Sequence, residues 1–213
     1  MTRHENKTKT MSRITLPMLA AAVALAALAP AQATEWSIRT GATHVSPKSD
    51  NGSLAGGTLA ASVDSETQLG LAIAARLNPN WAVELLAATP FRHTASVNGA
   101  EAVDFKHLPP TLTLQYHFAP EARVSPFLGA GVNYTWTYDE EARGPLAGAD
   151  VRLGNSWGAS AQAGLVFRLS DTLDLVADAR WMDIDADVRV DGTKVGTVNV
   201  DPMVYSVMLG WRF

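Results

Sequence analysis

Apolar residues recur at every second position in eight segments of the chain. Leu69, Leu71, Ile73, Ala75 and Leu77 alternate with Gly70, Ala72, Ala74 and Arg76. The same period runs through residues 81–85, 112–118, 128–138, 157–169, 173–181 and 205–213, and a weaker copy opens at Trp36. Successive side chains of a strand point to opposite faces, so each segment has one apolar face and one mixed face. Eight strands are predicted, and no stretch carries the period of a long amphipathic helix. The connectors alternate too. Asn78-Pro79-Asn80, residues 119–123 and Ser170-Asp171-Thr172 are short, whereas residues 48–65, 92–109, 139–155 and 186–197 are long and polar or glycine-rich. An even-numbered meander with short turns at one end and long loops at the other is the layout of a transmembrane β-barrel. The expected fold is all-β, an eight-stranded antiparallel barrel with short periplasmic turns and long extracellular loops.

Which face meets which solvent decides the rest. A soluble eight-stranded barrel of the lipocalin kind keeps its apolar side inward. Here one face carries almost no charge, while the other mixes small, polar and charged residues. Aromatic residues collect toward the segment ends: Trp81, Phe118 and Phe213 by the short turns, Trp136, Tyr138, Trp157, Trp181 and Tyr205 by the long ones. Two aromatic girdles around an uncharged band put lipid outside. Closure follows, because in lipid every backbone amide needs a partner and an open sheet edge has none.

The first 33 residues read differently. Arg3, Lys7, Lys9 and Arg13 precede an apolar run over 18–28 and an Ala31-Gln32-Ala33 exit site, the pattern of a secretory leader. Met11 is itself an adequate start. Cleavage after Ala33 would take four basic residues and one acid out of a formal charge of -4 and leave -7, with 34–213 as the mature barrel. An acidic chain offers no electrostatic case for nucleic acid. The absence of cysteine removes thiol nucleophiles and cysteine metal sites. Phe213 ends an alternating strand, resembling the signal read by the outer-membrane assembly machinery, an expected partner beside the outer-membrane lipids of a Gram-negative cell.

If the apolar faces meet lipid, the mixed faces line the lumen. Arg76, Glu84, His117, Arg168, Asp174 and Arg212 lie inward near the short turns, joined by Arg39, and are expected to pair into a charged floor. Toward the long loops the inward residues turn small or apolar, including Gly70, Ala72, Gly129 and Gly131. Leu86, Val176, Met182, Val204 and Met208 are the expected wall of a hydrophobic cavity, and Arg180, an inward charge midway along its strand, is a candidate gate. Pro90, Pro109 and Pro110 have no amide to give a ladder, so strand pairing is expected to stop beside them.

Other chemistry finds no footing. Asp183, Asp185, Asp187 and Asp191 resemble a calcium loop, but Val188 stands where such a loop needs glycine. His44, His93, His107 and His117 lack metal-ligand spacing. No Gly-x-Ser-x-Gly or phosphate loop appears. Neither a cofactor nor a metal nor an enzymatic activity is expected.

Several blocks match a known family: Glu84-Leu-Leu-Ala-Ala-Thr-Pro-Phe-Arg-His93, His107-Leu-Pro-Pro-Thr-Leu112, Gly129-Ala-Gly-Val-Asn-Tyr-Thr135, Ser156-Trp-Gly-Ala159, Met182-Asp-Ile-Asp185 and Asp201-Pro202. In this order they resemble the OmpW family. The resemblance implies an eight-stranded outer-membrane barrel with a narrow, largely hydrophobic interior. It also implies passage of small hydrophobic compounds, with sideways release into the bilayer. In the family pattern the position before Trp181 is usually aromatic, and Arg180 departs from it. The alternative is a structural, adhesive or receptor barrel acting through its extracellular loops.

Overall fold

The computed structural model describes residues 35–213, and the expected leader at residues 1–33 lies outside the described residues. The strands are β1 (Glu35–Ser46), β2 (Ser53–Leu54), β3 (Leu59–Val63), β4 (Glu66–Arg76), β5 (Trp81–Ala88), β6 (Phe91–Val97), β7 (Ala100–Leu108) and β8 (Thr111–His117). They continue with β9 (Val124–Ala142), β10 (Val151–Leu153), β11 (Ser156–Arg168), β12 (Leu173–Met182), β13 (Asp185–Val190), β14 (Thr193–Asn199) and β15 (Met203–Arg212). Eight of them close an antiparallel barrel in the order β1-β4-β5-β8-β9-β11-β12-β15. The seam between β15 and β1 is fully laddered from Ser37↔Arg212 to Ser46↔Met203. Past its end, Trp36 and Phe213 exchange backbone hydrogen bonds of 3.0 and 2.9 Å. The seam therefore leaves no backbone edge for lipid to solvate.

The alternation places side chains as their chemistry requires. On β15 the buried residues are Val204, Ser206, Met208 and Gly210, and the exposed ones are Met203, Tyr205, Val207, Leu209 and Trp211. Leu69, Leu71, Leu114, Leu128 and Val132 continue this exposed apolar band around the wall. In water such a surface is unfavourable by about 25 cal/mol per Å², and acyl chains remove that cost. Trp81, Phe118, Trp211 and Phe213 stand exposed at the short-turn end, and Trp157, Trp181 and Tyr205 at the loop end.

The long connectors depart from expectation, because they are largely folded. Residues 92–109 form most of the β6–β7 hairpin and 186–197 most of the β13–β14 hairpin. Their tips are Asn98-Gly99, with φ of 49° and 79°, and Asp191-Gly192, with 48° and 81°. Two successive positive φ values are the requirement of the tight hairpin turn that Asn-Gly and Asp-Gly favour. β9 runs on beyond the barrel to Ala142 and pairs there with β7, whose hairpin partner β6 pairs with β3. These strands raise a folded rim above the bilayer.

Candidate functional site

The lumen is built in layers. Leu86, Met182, Val204 and Met208 are all buried and join one apolar cluster with Val45, Ala72 and Phe91. Leu54, Ile184, Val188, Val198 and Val200 from the extracellular rim complete it. Loop segments therefore roof the layer with their own apolar faces, a contribution signalled by the alternation Ile184-x-Ala186-x-Val188. Val176 lies elsewhere. It pairs with Met208 across the β12–β15 ladder, but packs with Phe127 and Val166 in a separate cluster. Meanwhile the Met208 methyl turns toward Gly70. The expected wall is thus four residues together and one apart.

Small inward residues do not leave an open cavity of the kind expected. They are the seats of large side chains from other strands. A Cβ at Gly164 would meet the Phe127 ring at 2.5 Å, and one at Gly210 would meet Arg39 Cγ at 3.2 Å. Gly70 likewise underlies Met208 Cε, where a Cβ would come within 2.5 Å. The upper lumen is a packed apolar layer.

Beneath it lies a polar closure. Glu84 accepts from Arg39 Nη1 at 2.5 Å on one carboxylate oxygen and from Arg180 Nη2 at 2.6 Å on the other. Gln162 donates to Asp178 Oδ1 at 2.9 Å and accepts from Gln115 Nε2 at 2.9 Å. Asp178 Oδ1 is also 3.9 Å from Arg180 Nη2. Side chains of Arg39, Glu84, Arg180 and Asp178 are all nearly excluded from solvent. Removing one partner of so buried a pair costs about 3–5 kcal/mol, because the other charge is left uncompensated.

Glu84 and Arg39 were expected at the charged floor, and the structure places both in this middle layer. Arg180, the candidate gate, is a fixed member of the same network. The other charges expected at the floor do gather there. Arg212 contacts Asp174 at 3.1 Å and Glu35 at 3.4 Å, while Arg76 reaches Glu35 at 3.3 Å and the Pro79 carbonyl at 2.8 Å. Arg168 donates to the Pro120 carbonyl. His117 is buried between the layers and stacks on Phe127 with ring centroids 5.1 Å apart. Guanidinium groups tied to turn carbonyls close the periplasmic end.

The prolines mark a change of ladder. Pairing of β5 with β8 ends at Leu86↔Thr111, and pairing of β6 with β7 begins at Phe91↔His107. Between these rungs Ala87 and Ala88 pair with β4 but with no residue of β8. The carbonyls of Pro109 and Pro110 are instead taken by Asn133 Nδ2, at 3.2 and 3.3 Å, and by the amide of Tyr134.

Above the bilayer, the β6–β7 register stacks Phe91, His93, Phe105 and His107 on one face. The two imidazoles lie 4.8 Å apart, and His93 Nδ1 donates to the Asp64 carbonyl at 2.8 Å. Burial, aided by His93, pulls the His107 imidazole down to about 3. Sequence spacing hid this pairing because only the hairpin brings the strands together. The acidic loop residues part company as well. Asp183, Asp185 and Asp201 converge, but Lys48 binds Asp201 at 2.7 Å and Asn199 donates to Asp185. Asp187 is held by Lys194 at 2.7 Å, which lowers its carboxyl from the ordinary value.

A closed eight-stranded barrel with a lipid-facing apolar band, aromatic girdles and a layered lumen defines an outer-membrane β-barrel protein. A sequence model of the OmpW family matches residues 32–213. The chain belongs to the OmpW family. It is 35% identical over 212 residues to Outer membrane protein W of Escherichia coli K12, covering 95% of this chain and 100% of that protein. It is 28% identical over 162 residues to outer membrane protein AlkL of Ectopseudomonas oleovorans, covering 71% and 68%. The crystal structure of OprG from Pseudomonas aeruginosa superposes with a TM-score of 0.76 at 34% identity, over 85% of this chain and 97% of that one. These relatives are outer-membrane proteins, and none is named for an enzymatic reaction.

Proposed function

We propose that the barrel passes small hydrophobic molecules from outside into its apolar layer and releases them sideways into the bilayer. One observation carries this reading. Leu86 occupies the last β5–β8 rung and Phe91 the first β6–β7 rung, so the apolar cluster backs directly onto the place where the wall changes ladder. A guest that displaces the roof meets apolar side chains, finds the way down barred by the Arg39–Glu84–Arg180 network, and has lipid beside it. The family's membership of outer-membrane proteins and the apolar interior support the same route.

Uptake of a lipophilic fluorescent probe into proteoliposomes tests it. Leu86→Arg and Met208→Arg place a charge in the layer and are expected to lower the uptake rate at least tenfold, with heat-modifiable folding retained. Equal rates for all three proteins would overturn the reading. Loss of uptake only on truncating the β13–β14 hairpin, with both lumen variants at full rate, would move the function to the extracellular rim.

A further inference from the structure

We propose that the guest this lumen prefers is an amphiphile with an apolar tail and a carboxylate head, the head docking on Arg180. This deepens the conduit reading and rests on it.

Arg180 is 2% exposed, lies beside Val204 across the β12–β15 ladder, and sits one inward position below Met182. Its Nη2 is committed to Glu84, whereas its Nε and Nη1 have no hydrogen-bond partner. A buried guanidinium with unused donors is expensive to maintain, and an incoming acceptor recovers that cost. Arg39, the other cation of the network, donates its Nη1 to Glu84.

Two more groups nearby are short of partners. Thr113 Oγ1 and Ser160 Oγ are buried without hydrogen bonds. Thr113 stands opposite Glu84 on the β5–β8 ladder, and Ser160 stands opposite Met182 on the β11–β12 ladder. Unused hydrogen-bonding capacity is therefore present at the boundary between the polar closure and the apolar layer. Glu84 bridges both guanidinium groups, and Asp178, 3.9 Å from Arg180 Nη2, is hydrogen-bonded to Gln162, so neither carboxylate uses the free Nε and Nη1 donors of Arg180. A carboxylate is the head that a partly committed guanidinium binds best, through charge-assisted hydrogen bonds. Its tail would then lie among Met182, Val204, Met208 and Leu86, the residues that roof the same network. A neutral alkane gains only the second half of this site.

Cells carrying the protein in their outer membrane, supplied separately with labelled decanoate, methyl decanoate and decane, test the assignment. Arg180→Leu is expected to cut decanoate uptake about tenfold relative to that of methyl decanoate and decane in the same variant, the equivalent of one charge-assisted hydrogen bond. Arg180→Lys keeps the charge and is expected to restore part of the decanoate rate, and heat-modifiable migration checks that both variants fold. An equal fall for all three probes would assign Arg180 a structural role only and overturn the proposal. Wild-type uptake of decane and ester with no preference for the acid would overturn it while leaving the conduit reading in place. No uptake of any probe above that of cells lacking the protein would overturn both.

Discussion

Single residues in this barrel are placed by what their charge or volume would cost anywhere else. Glu84 sits where two arginines meet because a lone buried carboxylate is untenable and a bridging one is not. His107 makes the opposite choice and stays neutral among rings. Its folded imidazole titrates at about 3, whereas in the unfolded chain it takes a proton near the usual 6.5. Above 6.5 both states are neutral and this group leaves stability unchanged. Below it the unfolded chain gains a proton that the folded hairpin refuses, so stability falls as pH drops from 6.5 toward 3. The loss reaches about 2 kcal/mol at pH 5. Hydrogen exchange of the β6–β7 amides, corrected for intrinsic rates, is expected to show it, and His107→Phe to flatten the profile. A slope unchanged in His107→Phe would refute the assignment.

At the scale of elements, the barrel staves were legible and their extensions were not. Period two is strong wherever one face meets lipid, as in Tyr205-x-Val207-x-Leu209-x-Trp211. The β6–β7 and β13–β14 hairpins have water on one face and few large apolar residues, so their alternation is faint. Asn98-Gly99 and Asp191-Gly192 were the available signal, through turn chemistry rather than hydrophobicity. The inward parity of Leu86, Met182, Val204 and Met208 could be read from the chain, but their heights could not. Height depends on the stagger between neighbouring strands, which closure sets for the whole barrel. That is why Glu84 was expected at the floor and Val176 in the upper wall. The seats for large side chains were equally hidden, since Gly164 is small because Phe127 from β9 lies over it. Gly164→Val is expected to cost at least about 1–3 kcal/mol by overpacking, read as a lower denaturation midpoint in lipid. A midpoint at the wild-type value would show that the ring moves aside freely.

On the scale of the whole molecule, the three lumen layers divide the work. The floor ties arginines to the periplasmic turns, the middle bars passage with a neutralised ion network, and the upper layer is continuous with the point where β5 leaves β8. On the proposed reading, a conduit built this way would deliver its guest to the bilayer and keep the periplasmic end shut. The chain contains no cysteine, so a thiol introduced into any layer is the sole reporter. The most direct measurement is alkylation of single-cysteine variants at Leu86, Met208 and Gln162 in liposomes by a maleimide with a long alkyl chain, dissolved in the lipid. The account predicts fast labelling at Leu86 and Met208, suppressed by excess hydrophobic guest, and no labelling at Gln162. Labelling at Gln162 as fast as at Leu86, or none at Leu86, would contradict it.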